Sequence, residues 1–338
     1  MRLRASPAGA AGPPPPTPGN VLTRRVSRRA AIDVGTNSVR LLVADLPALD
    51  PSASHRPLRL GLPLRPVIRR LAITRLGDRL DEDGVIREPA AARTAAAVEE
   101  FAAEAAAAGV PSPVVFATYA MRVARNPATL LEKLNRPVRV LSGEDEARLG
   151  FLGAVAGLGQ EYARARMLVV DIGGGSVELT RGTTSGIEEV HSVPLGCVVL
   201  THRFLAHDPP QEREVSTLRA HVTETLGPML DQLGPSVDAA IGVGGTITTM
   251  AALAQRLVPY DPDRVHGYRL ALPQIAATLE TLRARSLGER RALPGLQPER
   301  ADVIIAGALV LHDVLRRLGG GPIVVSEADL LWAVLIEG

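Results

Sequence analysis

Two segments of this chain repeat one pattern. Ile32-Asp33-Val34-Gly35-Thr36-Asn37-Ser38 and Val170-Asp171-Ile172-Gly173-Gly174-Gly175-Ser176 carry the Asp, the Gly and the terminal Ser in register. In each, an apolar run reads as a buried strand ending at the Asp, the glycine marks a turn, and a second apolar run reads as the returning strand. Those strands are expected over 30–35 and 39–44 in the first copy and 167–171 and 177–181 in the second. A repeated supersecondary unit argues for internal duplication. Two such halves facing one another would place both turns on a single cleft.

The intervening sequence alternates β and α patterns. After a proline-rich stretch over 47–66, a strand is expected over 68–76. A helix over 90–109 follows from its Ala/Glu-rich run and terminal Gly. The first half continues with a strand over 114–118, a helix carrying Arg122 and Arg125, and a strand over 138–141. Ser142-Gly143-Glu144 then leads into a helix from about 145 to 158. Beyond the second turn come a helix near 211–233, a strand and turn over 239–246, helices near 273–285 and 300–318, and a strand over 323–325. At roughly 150 residues per domain, 338 residues fit two domains. We read a disordered Pro/Arg-rich tail over 1–29, a first domain over 30–144 to which the C-terminal helix is free to return, and a second over 145–338. Trp332 and the apolar 304–311 run fit either core or interface.

Composition excludes several functions. Lys+Arg 38 against Asp+Glu 36 gives +2, but six arginines precede Asp33, leaving the body with 32 basic against 36 acidic residues, a net −4. A duplex-binding domain carries its positive charge clustered on the fold, so nucleic acid is not an expected partner. Aromatics at 3% leave few stacking platforms for single strands. No apolar run approaches the ~18 residues of a membrane span, and the Pro- and Gly-rich N-terminus lacks the apolar core of an export signal. Cys197 is the single cysteine, which excludes an intrachain disulfide and fits a reducing, cytoplasmic compartment. The histidines show no metal-ligand spacing and read as surface or packing residues.

The chemistry sits in the turns. Successive N–H groups of a Gly-rich turn converge on phosphate because a missing Cβ permits close approach and left-handed φ; the plain alternative is a tight hairpin. Carboxylates beside a phosphate cradle repel it unless a cation intervenes, so Asp33 and Asp171 point to a hard divalent metal, Mg²⁺ with several waters. Glu178 lies two residues beyond Ser176, hence on the same strand face. Glu144, Asp145 and Glu146 open a helix, where acids commonly compensate the helix dipole or join a capping box from Ser142. Spacing leaves open which of the three faces a cleft.

These blocks, with Ser142-Gly143-Glu144-Asp145-Glu146-Ala147-Arg148-Leu149, Ala117-Thr118-Tyr119-Ala120-Met121-Arg122, Pro194-Leu195-Gly196-Cys197-Val198 and Gly242-Val243-Gly244-Gly245-Thr246-Ile247-Thr248-Thr249, resemble in order and spacing the exopolyphosphatase/guanosine pentaphosphate phosphatase (Ppx/GppA) family, in a short two-domain form. The resemblance implies an α/β chain with the actin-like ATPase fold, two ribonuclease-H-like domains flanking a cleft. It implies an exopolyphosphatase-type hydrolase that removes terminal phosphate from polyphosphate or guanosine pentaphosphate, with Mg²⁺ or Mn²⁺ as cofactor, in a homodimer. Glu146 would be the general base and Glu178 its assistant; Asp171 and Asp33 would hold the metal. Gly35, Thr36, Asn37, Ser38, Arg40, Arg122, Gly173, Gly174, Gly175 and Ser176 would bind phosphate. Asp329, Leu331 and Ala333 stand where the family pattern has Gly, Arg and Gly. The competing readings are a kinase of the same fold, with Gly242 to Thr249 holding adenosine, and a catalytically weak sensor of polyphosphate or guanosine tetraphosphate.

Overall fold

The computed structural model describes residues 26–47, 58, 60–62, 64–233 and 237–337. Its two sheets share one topology. In the first, β1 (Val26–Val34), β2 (Ser38–Pro47) and β3 (Pro66–Ile73) form an antiparallel meander, while β4 (Val114–Ala117) and β5 (Arg139–Val140) extend the other edge in parallel, in the order β3-β2-β1-β4-β5. In the second, β6 (Met167–Ile172), β7 (Val177–Thr183) and β8 (Gly186–Val193) repeat the meander. There β9 (Ala239–Val243) and β11 (Ile323–Val325) add in parallel to β6, and β10 (Arg269–Leu270) closes the edge. The duplication read from two short segments thus extends to two whole sheets.

Residues 26–29, assigned above to the tail, are the first four of β1: Arg29 lies opposite Ala44 and Arg28 opposite Asp45. Arg28 also pairs with Asp45 through Nε at 2.7 Å. The charged arginines hide this strand start from an apolar-run criterion, because β1 begins as an exposed, alternating segment and becomes fully buried only at Ala30. Residues 1–25 and most of the proline-rich stretch lie outside the described residues. β3 ends at Ile73, three residues earlier than expected, where Thr74 and Arg75 turn to donate their N–H groups to the Asn37 carbonyl. The short helix Tyr119–Val123 carries Arg122 but stops before Arg125. The turn expected by residue 246 is the opening of a helix, Gly244–Gln255.

Both faces of the central strands β1, β2, β6 and β9 are covered, as their near-continuous apolar runs require. Ile32, Val34, Leu41 and Val43 pack under the Glu88–Ala107 helix, while Ala31, Leu42, Ala44 and Leu46 face the C-terminal helix Leu330–Glu337. In the second sheet Leu168, Val170 and Ile172 join the largest core with the Ile304–Arg317 helix, and Met167 and Val169 meet Phe151, Ala154 and Val155 of the Gly143–Gly157 helix. Trp332 and the 304–311 run are therefore core. The C-terminal helix leaves β11 of the second sheet and packs on β1 and β2 of the first. It crosses the Gly143–Gly157 helix so closely that a Cβ at Gly153 would run into the Asp329 carbonyl. Among the described residues, no helix is long and apolar enough to cross a membrane.

Candidate active site

The turns between β1 and β2 and between β6 and β7 are built alike. Gly35 N–H donates to Ser38 O at 2.9 Å, and Gly173 N–H to Ser176 O at 3.0 Å. Both line one cleft of about 440 Å³, together with Asp33, Arg40, Glu146, Asp171, Glu178, Arg300 and Asp329. The two halves meet at these turns. A Cβ at Gly174 would stand 3.1 Å from Asn37 Cβ, and one at Gly175 would collide with the Tyr119 ring and lie 2.6 Å from Thr36 Oγ1. Neither glycine has positive φ, so close approach, not left-handed backbone, is what requires them. The carbonyls of Gly173, Gly174 and Gly175 accept the amides of Cys197, Val198 and Gly196 at 3.0, 2.9 and 3.1 Å. Those bonds tie the turn's carbonyls to the start of the Cys197–Phe204 helix.

Three buried polar atoms lie unpaired where the halves touch: Asp33 Oδ1, Thr36 Oγ1 and Asn37 Nδ2. A buried group without a partner costs about 1–3 kcal/mol, and such orphans at the base of a cleft mark positions that a polar ligand completes.

Of the three acids opening the Gly143–Gly157 helix, Glu146 is the one that faces the cleft. Ser142 Oγ caps the helix by accepting Asp145 N–H at 3.0 Å, and Glu146, one residue on, takes Arg122 Nη1 at 3.0 Å. Arg122 also donates to Leu141 O at 2.9 Å and lies over the Tyr119 ring, so its guanidinium is engaged in holding Glu146. Burial raises the Glu146 carboxyl above its ordinary value despite Arg122. Glu178 is buried at 3% exposure, and Ser192 Oγ donates to its Oε1 at 2.8 Å. Burial, with Glu146 and Asp171 nearby, pushes it well above the carboxylate range. Asp171 is raised to about 7 by burial and then by Asp329, against the pull of Arg40.

Arg40 stands opposite Asp33 in the β1–β2 register. Its Nη2 and Nε reach Asp33 Oδ2 at 2.6 and 2.9 Å, and its Nη1 bonds Asp329. Sequence reasoning missed Arg300. Its Nε donates to Gln297 Oε1 at 2.8 Å, it lies against Gly245 at the start of the Gly244–Gln255 helix, and among the described residues it makes no ion pair. Burial lowers its pKa from the ordinary guanidinium value. A helix N-terminus with a guanidinium beside it suits an anion. Only the topology brings Arg300 to the cleft, so no local signal could have found it.

Among the described residues no three His, Cys, Asp or Glu side chains group as ligands for one metal ion. A hard divalent ion that keeps most of its waters and takes one or two carboxylates plus phosphate oxygens asks for no such cage. The donor set fits that case: Asp171 is a carboxylate under repulsion from its neighbours, and Asp33 keeps Oδ1 unpaired after giving Oδ2 to Arg40. Cys197 is buried and lies at the cleft wall.

The Ppx/GppA phosphatase family model matches residues 54–330. Exopolyphosphatase 2 of Mycobacterium tuberculosis is 36% identical over 336 residues, covering 92% of this chain and 98% of that protein. The Aquifex aeolicus Ppx/GppA crystal structure superposes with a TM-score of 0.72 at 31% identity, covering 93% of this chain and 97% of that one. An exopolyphosphatase from Cytophaga hutchinsonii gives 0.79 at 26% identity, covering 91% and 96%. Two ribonuclease-H-like sheets around a cleft, the actin-like ATPase fold, is the architecture.

Proposed function

The chain belongs to the Ppx/GppA phosphatase family, and from that premise we propose that it hydrolyses the terminal phosphoanhydride of inorganic polyphosphate or guanosine pentaphosphate. The observation that carries this reading is the meeting of two like-built turns beside two carboxylates, Glu178 buried and Glu146 partly buried, each held by its own donor. Arg122 fixes Glu146 and Ser192 fixes Glu178.

The terminal phosphoryl group sits against the amides of the two turns, with the orphaned Thr36 hydroxyl and Asn37 amide as further partners. Glu146 orients a water and takes its proton as the water oxygen bonds to phosphorus. The bond to the bridging oxygen breaks, and its electron pair leaves with the shortened chain. The raised pKa of Glu146 makes it a stronger base than an ordinary carboxylate. Glu178 assists from the neighbouring strand. Asp171, with Asp33, would hold Mg²⁺ or Mn²⁺, which when bound neutralises charge on the phosphoryl oxygens. Arg300 and the start of the Gly244–Gln255 helix extend the anion-binding surface along the cleft. The reading includes a homodimer in a reducing, cytoplasmic compartment, both open to direct measurement by light scattering and fractionation.

The test is phosphate release with Mg²⁺ from short polyphosphate, long polyphosphate and guanosine pentaphosphate in parallel. Glu146→Gln is expected to fold normally and lose about 10²–10⁴ in rate. Equal rates for mutant and wild type would remove Glu146 from the role. Tight binding without release from any substrate would favour a sensor over a hydrolase.

A further inference from the structure

The cleft contains more acid around Arg40 than one guanidinium balances. Asp33 takes its Nε and Nη2, and Asp329 takes its Nη1. Asp33 belongs to β1 and is paired with Arg40 within the first sheet. Asp329 comes from the other side of the molecule, on the segment between β11 and the C-terminal helix. The same segment brings Glu327 to Arg69 of β3, at 2.8 Å. Two arginines of the first sheet that line the cleft are thereby neutralised by acids arriving from the second. Arg300, by contrast, makes no ion pair among the described residues.

We propose that Asp329 is a specificity-determining residue that withdraws Arg40 from the substrate and so limits how strongly the cleft holds a polyanion. With Asp329 ionised, the Asp33–Arg40–Asp329 group carries a net −1, and the guanidinium edge that could face a phosphate is occupied. With the charge of residue 329 removed by Asp329→Asn, the group carries no net charge, and Nη1 is free to turn toward an anion seated at the Thr36–Asn37 turn, which ends three residues before Arg40 on the chain. This deepens the reading of the cleft as a phosphoanhydride site and rests on it.

Asp329 Oδ1 also accepts Leu331 N–H at 3.0 Å at the start of the C-terminal helix. Asp329→Asn keeps the shape and the capping acceptor while removing the charge, because Asn and Asp serve equally at such positions. The experiment measures tripolyphosphate binding by calorimetry to the wild type, Asp329→Asn, Arg40→Met and the double variant, with thermal unfolding as the check on folding. Asp329→Asn is expected to bind on the order of tenfold tighter, the scale of one charge-assisted hydrogen bond that the released guanidinium makes to the anion. In the Arg40→Met background the same substitution is expected to give no gain, since there is no guanidinium to release. Equal binding by wild type and Asp329→Asn would overturn the proposal alone, and so would an equal gain in both backgrounds, which would mark a general field effect. Absence of tripolyphosphate binding in all four proteins would overturn the polyphosphate reading of the cleft, and this proposal with it.

Discussion

Asp171 shows how a single side chain reports the design of the cleft. Its carboxyl has an ordinary value of 3.8 and stands at about 7 in the fold, because burial and the carboxylates of Asp329, Glu146 and Asp33 outweigh Arg40. Between those two values the folded protein keeps a proton that the unfolded chain has lost. Stability of the metal-free protein therefore falls as pH rises through that window. Thermal unfolding from pH 4 to 7.5 should show the decline, and Asp171→Asn should flatten it; a slope unchanged by the substitution would mean that Asp171 is not the titrating group. At this scale the residue types were readable but their partners were not. Arg40 and Arg122 look alike as candidate phosphate ligands in the sequence, and in the fold each is engaged by carboxylates, Arg122 by Glu146 and Arg40 by Asp33 and Asp329.

Between elements, the contact that matters is turn against turn. Three consecutive glycines suggested close approach to a phosphate and freedom of φ, yet the structure uses Gly174 and Gly175 as places where the other half of the protein comes to rest. Gly175→Ala would push its methyl into Tyr119 and Thr36, which belong to the first half. Overpacking of this kind costs about 1–3 kcal/mol. Because the halves can part slightly, the expected outcome is a raised KM and reduced phosphate release with the fold retained. Unchanged kinetics would show that the turns do not meet in the working enzyme. The acidic opening of the Gly143–Gly157 helix divides by the same logic: the Ser142 cap fixes the first turn, and the rotation of the helix sends Glu146 inward.

Across the whole molecule, the halves are joined by ion pairs as well as by the turns. Arg75, which has φ 54, pairs with Asp302 and reaches Glu299 O at 3.2 Å, while His202 approaches Asp78 at 3.4 Å. On the proposed reading, a phosphate seats between the touching turns once the halves separate. Arg75→Ala is expected to speed tripolyphosphate association a few-fold in stopped-flow, and Asp302→Ala to add little to that variant, as two ends of one interaction. Additive effects would mean that the pair does not restrain opening. The sequence by itself determined the duplication, the α/β class, the two turns and the acids beside them, because these are set by local periodicity and by residue types at short spacing. The tertiary structure alone decided that Arg300 reaches the cleft, that Asp329 takes Arg40, and that Gly174 and Gly175 make room for the other half. Each of those depends on which segments, far apart in the chain, the two sheets bring face to face.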